Sequence, residues 1–462
     1  MASDMESTPK SRWLDLASAQ RVREQLSDVA RRHGLMAFFT LQVIGLVFLQ
    51  KLAVQFDISL FGIYLSVGAI QATLLVFYIG LLGLISFANP KIDLTRLILF
   101  SILLITVIIS VSVQRAIYSQ ASVLLMVACY LPFILVVEVN AVTYRRMLNV
   151  YLNVMIIIGV IVLLQQASQA IWSWTVWPNL DLLVPPKFLL PNFNYIQPIT
   201  YGSLLMKPSA VFFLEVSTVS QFLAVAFAIE MIYFRRVHRL AFSVVALLAT
   251  FAGTGPMLLA MCVPVLLLKL SWRSFLVVLV IFAAGYIAAE QLHWYQQVQG
   301  RLDEYESQGS SAYLRFVDPF LDILEALRRP DSVLAGIGPG NTMKFGGVVS
   351  WAVTKVTVEY GVLTLLSFSA LVGYTLFKGA PSLRMAFMLI VFFNFMGGGI
   401  VIPIYPVMIF IFGGLFRVTA PTQAQAARGL GDLEAKAWML GSKRIFGARS
   451  ARAGSRAKAA GG

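Results

Sequence analysis

Between Ser310 and Gly361 the chain carries Arg315, Asp322, Glu325, Arg328, Arg329, the run Gly336-Ile337-Gly338-Pro339-Gly340, and Lys344. This polar stretch stands inside an otherwise apolar sequence. Arginine is always charged and grips phosphate bidentately, so fixed guanidinium groups suit a reaction that builds negative charge on a phosphate leaving group. Asp322 and Glu325, with Glu215 further upstream, could take a proton from an attacking hydroxyl. Three glycines in five residues leave backbone N–H groups able to approach an anion, although a structural turn uses the same residues. Neither a preceding strand pattern nor a Gly-Lys-Ser/Thr ending is present, which excludes a dinucleotide site and a P-loop.

The elements that hold these residues are written in the composition. Of 462 residues, 58% are hydrophobic and only 13% charged, which excludes a soluble domain. Apolar runs at about 35–56, 58–88, 97–114, 119–142, 149–171, 211–233, 274–290 and 351–377 read as membrane spans. Two further runs, 240–270 and 385–416, are interrupted by Gly253-Thr254-Gly255-Pro256 and by Gly397-Gly398-Gly399 with Pro403 and Pro406. Each reads as a tight helical hairpin, which brings the count to about twelve spans. The expected fold class is an all-α polytopic integral membrane protein.

The formal charge of +14 reports topology before it reports a partner, because Lys and Arg mark the cytoplasmic side. With the N-terminus inside, Lys91/Arg96, Arg145/Arg146, Arg235/Arg236/Arg239, Lys269/Arg273, Lys378/Arg384 and Arg417 all fall on that side, with both chain ends. Nucleic acid is therefore not an expected partner. Residues 1–34 read as a cytoplasmic segment whose stretch 11–32, with Trp13, Leu16, Leu26 and Val29 near one face, suits an interfacial helix. No cleavable signal is expected, so the first span reads as an uncleaved anchor. Residues 35–417 form the transmembrane domain, and the basic residues 418–462 read as a disordered tail. Cys129 and Cys262, inside apolar runs, read as small core residues. The external loops hold no Asp-x-Asp pair or other metal-ligand constellation, and neither a metal nor a cofactor is expected.

Two external connections are long, about 172–210 and about 291–350, and long loops between spans usually carry function. The first opens with Trp172, Trp174 and Trp177, which suit either stacking on sugar rings or an interfacial belt. It runs through Pro191 and Tyr195 to Lys207-Pro208-Ser209 and enters a span at Glu215, which suits either a general base or a counter-ion for Lys207. In the second, Asp318-Pro319 reads as an N-cap and first-turn proline of a short helix ending near Arg328, with Arg315 just before it. Phe320, Leu321, Leu324 and Leu327 would form its apolar face, and Asp322, Glu325 and Arg329 its polar one. A helix lying on the membrane has the same pattern. Glu359 reads as a structural residue, capping a span or pairing with Lys355.

Three stretches within roughly residues 205–420 resemble the superfamily of Wzy-type polysaccharide polymerases and O-antigen ligases. They are Lys207-Pro208-Ser209-Ala210-Val211-Phe212-Phe213-Leu214-Glu215, then Arg315 followed by Leu324-Glu325-Ala326-Leu327, Pro330 and Gly336 to Gly340, and finally Glu359-Tyr360-Gly361. Arg329 with Gly340 matches a further polymerase trait, an Arg whose eleventh following residue is Gly. Where many ligases have His-Asn, this chain has Ser350-Trp351, and its three histidines, His33, His238 and His293, lie elsewhere. The resemblance therefore implies a polymerase before a ligase, in a GT-C-like fold with its loops in the periplasm of the bacterial inner membrane. It implies a glycosyltransferase that takes polyprenyl-diphosphate-linked glycans as donor and acceptor, with membrane lipids, a chain-length regulator and export proteins as further partners. A flippase of lipid-linked glycans is the rival class. The expected catalytic residues are Arg315, Glu215, Glu325 and Asp322, and the expected substrate-binding residues are Lys207, Arg328, Arg329, Gly336, Gly338, Gly340 and Lys344.

Overall fold

The computed structural model describes residues 9–60, 63–114, 118–190, 203–267, 306–308, 310–342, 351–396 and 399–419, with 193, 196–199, 276 and 283 besides. The chain is mostly helical with little sheet. Four helical stretches among the described residues are long and apolar enough to cross a bilayer: Leu94–Val113, Ala141–Gln169, Val216–Phe234 and Ala352–Gly379. Six shorter apolar helices accompany them. Most of the expected span 274–290, Lys344, Tyr195, Ser350, His293 and the tail beyond residue 419 lie outside the described residues.

The helices follow the apolar runs, but their ends differ where the local chemistry differs. Helix α1 (Pro9–Phe48) runs unbroken from the expected surface helix into the first span. Gly34 at the junction does not interrupt it, because an added Cβ there would meet the Phe87 ring and the glycine serves close packing instead. The run 58–88 is not one helix: β1 (Ala53–Leu60) and β2 (Ile63–Gln71) form an antiparallel hairpin, and only α2 (Ala72–Ala88) is helical. Alternation of Asp57, Ser59 and Ser66 with Ile58, Leu60 and Val67 has the period of two that a strand needs. The run 119–142 also divides, into α4 (Gln120–Tyr130), a turn at Pro132 and β4 (Leu135–Asn140). Proline cannot continue a helix, and Val136, Val137 and Val139 favour a strand. β4 pairs with β3 (Lys91–Ile92) antiparallel and with β5 (Phe416–Thr419) parallel, so the expected all-α class becomes a helical protein with two small sheets. β5 also takes in residues 418 and 419 of the expected tail.

Between β3 and α4 lies α3 (Leu94–Val113), capped by Asp93. Its Arg96 is fully buried and donates to the carbonyls of Phe133, Leu135, Thr375 and Gly414, at 3.3, 3.2, 3.3 and 2.9 Å. Asn140 caps the long helix α5 (Ala141–Ile171), its side chain accepting from the Thr143 N–H at 2.7 Å. α6 (Val216–Ile229) is the central helix, with nearly every residue buried. Both interrupted runs divide, into helices shorter than a bilayer crossing: α7 (Val237–Ala249) ends before α8 (Thr254–Leu267), where Gly255 donates to Ser220, and α12 (Leu383–Val391) is followed by α13 (Ile404–Ile409), which leads to β5. Inside, Phe133 stacks on Phe410 and Tyr151 meets Phe412 edge-on at 4.7 Å. Outside, Ile79, Leu82, Ile105, Ile108 and Leu366 are more than half exposed, an arrangement suited to lipid, where packing and hydrogen bonds hold helices together.

The described part of the polar region holds α9 (Ser311–Phe316) and α10 (Asp318–Arg328), followed by one helical turn at Pro330–Val333. Ser310 caps α9, accepting from the Tyr313 N–H at 3.1 Å, and Arg315 sits in its last turn. Asp318 is already helical rather than an N-cap, because α9 leads into α10 with only Val317 between them. α11 (Ala352–Gly379) breaks at Gly361, whose φ of 81° and ψ of 176° are open to glycine without strain. Into that break the backbone of 334–338 is lodged: Ile337 and Gly338 donate to the carbonyls of Val358 and Glu359 at 2.9 and 3.0 Å. A Cβ on Gly336 would lie 2.3 Å from the Glu359 backbone, and one on Gly361 would lie 2.3 Å from the Leu334 carbonyl oxygen. Gly361→Ala should therefore lower stability by about 2–3 kcal/mol in detergent melting experiments. Gly373→Ala, in the same helix with open space at its Cβ position, should be neutral or stabilising by up to about 1 kcal/mol.

Candidate functional site

The segment that leads into α6 is held from several sides. Lys207 donates its backbone N–H to Gln197 at 2.8 Å, and Met206 and Gln169 exchange hydrogen bonds at 2.7 and 2.9 Å. The side chain of Gln165 accepts from the Ala210 N–H at 2.8 Å, and Gln50 accepts from the Leu214 N–H at 3.4 Å. Ala210 and Val211 are both left-handed, with φ of 52° and 67°. Such a conformation costs about 1–3 kcal/mol for a non-glycine residue, most clearly for a β-branched one, and persists only where the surroundings over-determine it. Here Phe213 and Leu214 are buried, and Phe212 meets Phe48 edge-on at 4.9 Å. The strain delivers Glu215 to the mouth of the central helix.

There Glu215 meets Arg315. The guanidinium Nη2 donates to Glu215 Oε2 at 2.7 Å, and the Ser217 hydroxyl donates to the same oxygen at 2.8 Å. The side chains are 31% and 16% exposed, so the pair is sheltered but the arginine keeps an open face. Glu215 is thus the counter-ion of Arg315. Arg329, Glu325 and Asp322 stand apart from it, on the polar stripe of α10. Arg329 and Glu325 form an exposed ion pair one turn apart, of a kind worth about 1 kcal/mol or less. Asp322, Glu325, Arg329, Ser332, Ile337 and Thr342 line a cleft between α10 and the glycine loop. Arg328 is exposed and does not line it.

The glycine loop turns its first three N–H groups inward. Gly336 donates to the Ser332 carbonyl at 2.7 Å, and the N–H groups of Ile337 and Gly338 are given to the break in α11, so none of the three is turned outward. Gln114 and Ser110 of α3 bond to the carbonyls of Gly336 and Ala335, and Ser119 donates to the Pro339 carbonyl at 2.8 Å. Gly340 packs against Ser119, again a place where a Cβ would collide. These glycines allow close passage of backbones. Beneath the cleft, buried Glu359 accepts from the Thr342 hydroxyl at 2.7 Å and faces Lys355 at 3.4 Å, the pairing its spacing predicts.

Lys207 lines a separate cleft with Trp174, Trp177, Gln165 and Gln169. Trp172 points away, 72% exposed at the end of α5. The Lys51–Asp181 pair at 2.9 Å and the Leu190 N–H to Lys51 carbonyl bond at 2.8 Å tie this loop to the region after α1. Sequence reasoning overlooked Gln165 and Gln169, although amides inside an apolar helix are a signal in themselves. It also overlooked Ser217 and Thr342, which no local pattern marks.

Among the described residues no group of three or more His, Cys, Asp and Glu side chains could hold a metal ion. The site is one of cations, carboxylates and hydroxyls, able to hold an anion at Arg315 and to accept a proton at Glu215 or Asp322. Comparison with protein-family models, with curated proteins and with solved structures gives no match. Burial pushes the Asp322 carboxyl up to about 6, helped by the nearby carboxylates of Asp318 and Glu325, and its Oδ2 has no hydrogen-bond partner among the described residues. The folded chain then holds this proton more tightly than an unfolded one, whose carboxyl keeps its ordinary value of 3.8. Stability contributed by this group should fall as pH rises between about 4 and about 6. Melting curves across that window should show a shallower pH dependence for Asp322→Asn than for the parent, with the variant the more stable at neutral pH.

Proposed function

We propose that the protein is a membrane glycosyltransferase that polymerises polyprenyl-diphosphate-linked oligosaccharide units on the periplasmic face of a bacterial inner membrane. The observation that carries this reading is the Arg315–Glu215 pair, formed across a hundred residues between the second long loop and the entrance of α6 just past the first. The two segments share no sequence neighbourhood, so a direct bond between their charged residues supports a common site. The proposed sidedness is supported by the basic segments assigned to the cytoplasm, which meet in Arg31 to Glu138, Lys91 to Glu138 and Arg417 to Asp93 contacts at the end away from Arg315.

In the proposed reaction an acceptor hydroxyl attacks the anomeric carbon of the donor. Its oxygen forms the new glycosidic bond while the bond from that carbon to the diphosphate oxygen breaks, and the electron pair leaves with the lipid diphosphate. Arg315 stabilises that developing charge with charge-assisted hydrogen bonds. The incoming diphosphate competes with Glu215 for the guanidinium, so donor binding frees the carboxylate to accept the hydroxyl proton. Lys207 attracts the donor, and the Asp322 cleft receives acceptor hydroxyls. Arginine carries the leaving group in this scheme, and no metal or cofactor is assigned a part.

Deleting the gene and resolving lipid-linked glycans by leaflet and length tests the reading. Single units stranded in the outer leaflet are the expected outcome, whereas long lipid-linked chains would indicate a ligase and inner-leaflet units a flippase. Arg315→Ala should cut polymer formation by about 10²–10³-fold with membrane insertion intact, the size expected for one lost donor to developing charge. Polymer of normal amount and length from that variant would overturn the assignment.

A further inference from the structure

Helix α10 has three faces. Its buried face is Pro319 and Ala326, seated on α11 and fixed by the Thr354 hydroxyl donating to the Pro319 carbonyl at 3.2 Å. Asp318, Asp322, Glu325 and Arg329, spaced by four, three and four residues, form the polar stripe that borders the cleft. The remaining face carries Phe320, Leu321, Leu324 and Leu327, which are 55, 44, 36 and 46% exposed. Four large apolar side chains in water on one short helix would make a patch of the kind that marks an interaction surface.

We propose that this face is sunk into the acyl chains of the leaflet on the Arg315 side, so that α10 lies along the membrane surface as one wall of the cleft. Continuity with the lipid-facing surface selects the bilayer as the occupant. Leu334, 59% exposed, belongs to the backbone lodged against Gly361, and just past that break Leu363 and Leu366 of α11 are exposed. Ser110 of α3 bonds to the Ala335 carbonyl, and its neighbours Ile108 and Ile109 are exposed as well. Exposed apolar residues of two membrane-crossing helices thus gather around the segment that follows α10. Arg328, exposed, follows Leu324 and Leu321 on the apolar stripe at the C-terminal end of the helix, where its long stem can lie on lipid and its guanidinium reach anionic headgroups. That gives a place to an arginine that neither Arg315's pair nor the cleft uses. The inference rests on the membrane-embedded helices and is independent of the transferase reading.

The test uses the full chain in lipid vesicles, with Cys129→Ala and Cys262→Ala to clear the buried native thiols. Nitroxide labels are placed singly at Phe320→Cys, Leu324→Cys and Glu325→Cys, and their collisions with oxygen and with a water-soluble nickel chelate are compared. Labels at 320 and 324 should favour oxygen, at a depth of about 5–10 Å beneath the headgroup boundary, and the label at 325 should favour nickel. Preference for nickel at both 320 and 324 would overturn the proposal by showing the face in water. Dipolar broadening between fully labelled copies, absent on dilution with unlabelled protein, would overturn it in favour of a second copy.

Discussion

The arrangement of the polar region depends on two backbones passing closer than side chains allow. Helix α11 opens at Gly361, and the strand of chain from Leu334 to Gly338 enters the opening with Gly336 facing the Glu359–Tyr360 peptide. Buried carbonyls must be paired, so Val358 and Glu359 at the break take the N–H groups of Ile337 and Gly338. Everything attached to that strand inherits the registration. α10 precedes it, Thr342 follows it, and α3 and the start of α4 clamp its outer side through Ser110, Gln114 and Ser119. A polar loop is thereby mounted on three membrane-embedded helices as rigidly as the helices are on one another.

The other half of the site is mounted differently. The segment 207–215 has no regular structure, and its shape is fixed by amide side chains of α5 and of the turn after α1, at the cost of two left-handed residues. A scaffold that pays for strain immediately before Glu215 is holding that carboxylate in a set place at the entrance of α6. Arg315, on a single capped helical turn and a half, meets it from the opposite loop. The pair therefore joins one part of the structure made rigid by hydrogen bonding to another made rigid by backbone interlock.

Much of this was legible in residue types and spacing. The long helices α5, α6 and α11, the breaks at Gly253 to Pro256 and Gly397 to Pro403, and the Lys355–Glu359 spacing follow from period and from the two residues that end helices. Arg315 and Glu215 were marked because charge is expensive in an apolar chain. The β1–β2 hairpin and β4 were hidden because composition makes an apolar strand and an apolar helix look alike, and only alternation in short polar residues separates them. The glycines were visible but their purpose was not: φ freedom serves anion binding and close backbone passage equally, and only the partner strand across the fold decides. For the same reason Asp322, Glu325 and Arg329 looked like one site with Arg315, although helical geometry turns them to a different neighbour.

Arg96 bears on how such a chain is made. Its guanidinium sits within the first turn of α3, yet two of its four carbonyl partners, Thr375 and Gly414, come 279 and 318 residues later. At ordinary synthesis rates of about 5–20 residues per second, α3 waits roughly 15–60 s for the last of them. An arginine at mid-helix costs about 2.5–3.5 kcal/mol to insert, and less near the end, so α3 can enter the membrane early with its head held back in the interface. Its last carbonyl partner, Gly414, comes just before β5, the last strand among the described residues, which pairs with β4. An early helix is thus bonded at its head by carbonyls from two of the latest described elements.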